Sequence, residues 1–79
     1  MNISRAVSLR IAELLKKDLS LYGLEHNACL SHDMIKSIMK GKAKGVNLKT
    51  LIAIADGFGM KVSEFLDSSL FNYDSLNMD

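Results

Sequence analysis

Apolar residues recur along this chain at intervals of three and four, the period of a helix that buries one face. Val7, Ile11, Leu14 and Leu15 form the first such stripe. Ser4 stands ahead of it as a candidate N-cap, so the spacing predicts a helix from Arg5 to Lys17. Ser20 is placed to cap a second helix over Leu21 to Ala28, with Leu24 pointing inward. Ser31 caps a third beginning at His32, where Asp33 in the first turn suits the positive end of the helix dipole. Ile35 and Ile38 face its inside, and Gly41 ends it. Asn47 opens a fourth helix, with Leu48, Leu51, Ile52, Ile54 and Ala55 on or near one face and a stop at Gly59. A fifth covers Val62 to Leu66, behind Lys61, a poor capping residue. No stretch alternates in the manner of a strand. The pattern predicts an all-α chain of five short helices.

Composition narrows the class without changing the fold. With 79 residues, 48% of them hydrophobic and 24% charged, the chain has the makeup of one small globular domain. No apolar run reaches the roughly 18 to 20 residues that cross a bilayer, and the N-terminus lacks the pattern of a secretory signal. A lone cysteine, Cys29, has no partner for an internal disulfide, which fits a reducing, cytoplasmic setting. The net charge of +1 hides a strong asymmetry. Between residues 31 and 55 stand Lys36, Lys40, Lys42, Lys44 and Lys49 against Asp33 alone, a balance of +4. From residue 56 onward Lys61 faces Asp56, Glu64, Asp67, Asp74 and Asp79, a balance of −4. A basic centre of this kind suits a polyanion, although lysines also serve merely to solvate a surface.

The basic centre coincides with a particular spacing. Two helices of about eight residues are joined through Ala28, Cys29 and Leu30, with Ser31 opening the second. These are the dimensions of a helix-turn-helix, whose second helix enters the DNA major groove. In this register the outer side of the third helix carries His32, Asp33, Lys36, Ser37 and Lys40. Lysines follow directly in the next loop, where phosphates flank an inserted helix.

From about residue 7 to 67 the chain resembles the Cro and phage-repressor-like, or xenobiotic-response-element, family of helix-turn-helix domains. The carriers are Leu19-Ser20, Leu24, Leu30-Ser31, Ile35, Ile38 and Gly41-Lys42. Leu48 to Ala55 with Gly59 matches the family's fourth helix, and Ser63-Glu64-Phe65-Leu66 its fifth. The resemblance implies a five-helix, lambda-repressor-like DNA-binding domain over residues 4–67, with 68–79 as a tail. It implies sequence-specific binding of double-stranded DNA by a small transcriptional regulator, a repressor by type, bacterial or phage-encoded. The recognition helix would be residues 32–40. By position, His32, Asp33, Lys36 and Ser37 would read bases: His32 as a donor to guanine, Asp33 as an acceptor from cytosine N4. Ser20, Lys40, Lys42 and Lys44 would hold phosphates.

Some positions depart from the family pattern. Leu21 stands where glutamine commonly contacts a phosphate. Glu25 replaces a small residue, so its carboxylate must tilt outward or find a partner. Cys29 occupies a turn position where glycine is common and positive φ is required. Leu15 and Met39 stand where the family often pairs arginine with glutamate, which suggests an apolar contact in place of an ion pair.

Other chemistries find little support. His26, Cys29, His32 and Asp33 are close in sequence, but a turn interrupts their spacing, and structural zinc sites generally use paired cysteines. No nucleophile with an orienting base stands out, so the chain is read as a non-enzyme without metal, cofactor or small-molecule ligand. Because one recognition helix reads few base pairs, a homodimer is expected. Its contacts are assigned to Phe65, Leu70, Phe71 and Tyr73, with folding of the tail over the first or fourth helix as the alternative. The second functional reading is a protein-interaction module, such as an antitoxin-like or assembly protein on the same scaffold.

Overall fold

The structure, a computed structural model, describes residues 1–15, 21–43 and 45–76. Among them it forms five α-helices and no strand: α1 (Ile3–Leu14), α2 (Leu21–Ala28), α3 (His32–Met39), α4 (Leu48–Gly57) and α5 (Val62–Phe65). Two 3-10 turns, Ser69–Phe71 and Tyr73–Ser75, follow. No helix is long and apolar enough to cross a membrane among the described residues.

The first helix starts earlier than the capping pattern suggests. Asn2, not Ser4, is its N-cap: the Asn2 Oδ1 accepts the Arg5 N–H at 2.7 Å. Ser4 lies inside the first turn and is buried, its hydroxyl donating to the Ile38 carbonyl at 3.3 Å. Two cap-forming residues lie two positions apart, and the tie to α3 decides between them. The far end also moves, because Leu15 is already extended (φ −68°, ψ 113°) and the helix stops at Leu14 rather than Lys17. At Ser31 and Asn47 the side chains behave as anticipated, while Ser20 lies outside the described residues. Ser31 Oγ accepts the Met34 N–H at 3.1 Å, and Asn47 Oδ1 accepts the Thr50 N–H at 2.8 Å. Lys61 lacks a capping side chain, and its own N–H instead donates to Glu64 Oε1 at 2.9 Å.

Three helices end in one and the same way. After α2, the Cys29 N–H bonds to the His26 carbonyl and the Leu30 N–H to that of Glu25. After α3, Gly41 bonds to Ile38 and Lys42 to Ser37; after α4, Gly59 bonds to Asp56 and Met60 to Ala55. Each is a Schellman closure with its C′ residue in the left-handed region. Gly41 (φ +70°) and Gly59 (φ +73°) adopt it without strain, whereas Cys29 does so at φ +56°.

The core joins Val7 and Ile11 of α1, Leu24 and Ala28 of α2, Ile38 of α3, Ile54 and Ala55 of α4, and Phe65 of α5. Leu15 and Met39 are half-buried, and each packs against this cluster. Helix α4 departs from expectation on one flank: Leu48 is 59% and Ile52 49% exposed. They sit at the margin of a stripe centred on Leu51, Ile54, Ala55 and Phe58, and no described element covers that margin. α4 approaches α2 closely through Gly57, where a β-carbon would lie 2.9 Å from Leu24 Cδ1 and 3.1 Å from Ala28 Cβ.

The segment after α5 folds back. Its first 3-10 turn packs on α1, and the Phe71 ring lies 6.0 Å from that of Phe65. The radius of gyration, 11.6 Å, matches the value of about 12 Å for a globular chain of this length.

Candidate nucleic-acid interface

Helix α3 owes its two-faced character to its sequence. Ile35 and Ile38 are buried, and the helix rests on α1 and α2 through that side. At 100° per residue, the opposite side reads His32, Lys36, Lys40, Asp33, Ser37 in order around the axis, an arc of about 140°. All are exposed except the half-buried Ser37, and no apolar side chain interrupts the arc. Met34, 43% exposed, lies just past its edge.

The expected base-reading residues divide into two groups on this arc. Asp33 and Ser37 line a cleft of about 370 Å³ that α3 shares with the following loop, with the N-cap Asn47 and with Thr50 of α4. His32 stands at the other margin, turned toward α2. Its Nδ1 lies 2.8 Å from Glu25 Oε1. The His32 side chain is 70% exposed, while that of Glu25 is only 11% exposed. The Glu25 carboxylate therefore finds its partner in a candidate base reader. The Schellman closure at Cys29 makes this contact, because it returns the chain so that the first residue of α3 meets the last turn of α2. Lys36 lies between the two groups.

Of the expected phosphate-binding residues, Lys40 and Lys42 are exposed at the end of α3. Ser20 and Lys44 lie outside the described residues, as does the side chain of Leu21. Lys49 joins the group, exposed in the first turn of α4. None of Lys36, Lys40, Lys42 and Lys49 makes an ion pair with a described residue. Lys49 sits at the positive end of its own helix dipole, where a cation is disfavoured, so helix stability does not account for it. In the last turn of the same helix stands Asp56. Seven residues of helix thus separate Lys49 from Asp56, about 10 Å along the axis.

The residues assigned to dimerisation are not alike. Phe65 is fully buried in the core, so the domain's own packing consumes it. Leu70 and Phe71 are half-buried, and Tyr73 is 76% exposed. Among the described residues no group of three potential metal ligands comes together.

Two residues that hold the helices together have little to mark them in the sequence. Arg10 is largely buried and ties α5 to α1, with Nε donating to the Phe65 carbonyl at 2.8 Å and Nη2 to that of Glu64 at 3.0 Å. Gly57 sets the approach of α4 to α2. No family model, curated protein or solved structure matches this chain.

Proposed function

We propose that this protein binds double-stranded DNA through α3 laid in the major groove, in a helix-turn-helix arrangement with α2, and that it acts as a small transcriptional repressor. One observation carries the reading: a polar arc of about 140° on α3, from His32 to Ser37, is bordered by lysines that continue into the next loop and the start of α4 and pair with no described residue. A cationic margin around a polar helix matches a groove whose floor offers donors and acceptors and whose walls are phosphates. Asp33 and Ser37 would read bases on the cleft side and His32 on the α2 side, with Lys40, Lys42 and Lys49 on the backbone. Two copies pairing near Leu70 and Tyr73 would set their α3 helices on half-sites about 34 Å apart. Phe65 has no part in that pairing.

The test is binding to a random-sequence duplex, followed by fluorescence anisotropy across a salt series. Measurable affinity that falls steeply and log-linearly with salt is expected. No binding at low salt overturns the reading. It would favour an interaction module instead, for which the exposed pair Leu48 and Ile52, one turn apart on α4, supplies an apolar contact surface.

A further inference from the structure

Glu25 is nearly buried, and its carboxylate is committed to His32 Nδ1 at 2.8 Å. An ionised carboxylate only accepts hydrogen bonds, so the ring nitrogen must donate. A neutral imidazole carries one N–H, and the partner of one nitrogen fixes the state of the other. With the proton on Nδ1, Nε2 holds a lone pair and nothing to donate. Nε2 is also the nitrogen left free for a ligand, on a ring that is 70% exposed at the first position of α3.

We infer that Glu25 is a specificity-positioning residue: by holding the neutral His32 ring in its Nδ1–H form, it makes Nε2 a hydrogen-bond acceptor toward the bases. This deepens the DNA-binding reading and rests on it. It also reverses the role that residue type alone assigns to His32. An acceptor in the major groove pairs with an exocyclic amine, adenine N6 or cytosine N4, and not with guanine N7 and O6, which are themselves acceptors. Glu25 itself need not touch DNA. Its place in the last turn of α2, behind the turn at Cys29, holds the ring as well as its proton.

Two measurements test this, both made at a pH above which the His32 ring nitrogen shifts no longer change, so that the ring is neutral. The first uses the free protein. Long-range proton–nitrogen NMR spectra distinguish the two tautomers, and His26, exposed and without a side-chain hydrogen bond to any described residue, serves as the internal reference. His32 should show the Nδ1–H form, and Glu25→Ala should return it to the mixture seen at His26. The second is selection from a random duplex pool by the wild type, Glu25→Ala and His32→Ala. One position, identified by its loss in His32→Ala, should favour adenine or cytosine by about five- to tenfold in the wild type and lose that preference in Glu25→Ala.

An Nε2–H ring in the wild type overturns the inference, and this requires no variant to fold. So does guanine at the His32 position, or a Glu25→Ala protein whose tautomer and selected site are unchanged. In each of these cases the DNA-binding reading stands. Failure of the wild type to retain any duplex at low salt overturns that reading, and the base preference with it.

Discussion

Arg10 and Phe65 are joined through the main chain: the guanidinium Nε donates to the Phe65 carbonyl at 2.8 Å, across a separation of 55 residues in the sequence. The second donor, Nη2, reaches the Glu64 carbonyl at 3.0 Å. Both oxygens belong to the last turn of a four-residue helix, whose carbonyls have few partners of their own. A cation there also opposes the negative end of the dipole. Arg10→Ala should cost about 2 kcal/mol by chemical denaturation, with an unchanged denaturant slope. Arg10→Lys should recover less than half, since an ammonium lacks the fork that meets two carbonyls at once.

Gly57 is where α4 and α2 come closest. A β-carbon at this position meets Leu24 Cδ1 at 2.9 Å and the Ala28 amide nitrogen at 3.3 Å. Gly57→Ala should therefore destabilise by about 1 to 2 kcal/mol, although alanine is the better helix former. Combining it with Leu24→Ala should give a loss smaller than the sum, because the side chain in the way is gone. A double-mutant cycle measures that coupling, and strict additivity would mean the helices separate instead.

Cys29 carries the one left-handed backbone among the described non-glycine residues, in a turn otherwise like those at Gly41 and Gly59. Cys29→Gly should stabilise the protein by about 0.5 to 1 kcal/mol, the removed strain exceeding the added freedom of the unfolded chain. A thermal melt shows this as a rise of a few degrees. Cys29→Val should lower the melt, since a β-branched residue tolerates that φ least.

The helices were legible because their signals are local. Ser31 and Asn47 bond to amides three residues on, and Gly41 and Gly59 mark stops by their own backbone freedom. Ser4 misleads for the opposite reason: its partner, the Ile38 carbonyl, is 34 residues away, and distant acceptors leave no trace in the neighbourhood of a serine. Arg10 is hidden likewise, since its acceptors are main-chain atoms that any residue possesses. Of the candidate interface, the polar arc of α3 could be read from its period. The pairing of Glu25 could be anticipated but not its choice of His32, which depends on the geometry of the turn between them. Phe71 reads as an unpartnered aromatic only while the path of the chain beyond α5 is unknown.

The lysine face gives a prediction separable from folding. Lys42→Ala combined with Lys49→Ala should lower affinity for all duplexes alike and reduce the salt slope by up to about two units. The unfolding midpoint should not fall, because neither side chain pairs with a described residue. A double variant with full affinity and slope would place the DNA on another face.

Phe71 separates internal packing from association. Phe71→Ala should cost about 1 to 3 kcal/mol, as its ring packs 6.0 Å from that of Phe65 and adjoins the core. If the lost contact is within one chain, the cost is the same at every protein concentration. If Phe71 also joins two copies, the cost grows with concentration, and sedimentation equilibrium shows the shift.

The repeated closure after α2, α3 and α4 bears on how quickly the chain finds its shape. Every one of these reversals is made by hydrogen bonds between residues three and five apart, so none waits for a remote segment to arrive. The entropy of closing such short loops is small. Chains organised by near neighbours in sequence cross the folding barrier in microseconds to milliseconds, where sheet proteins of like size need far longer.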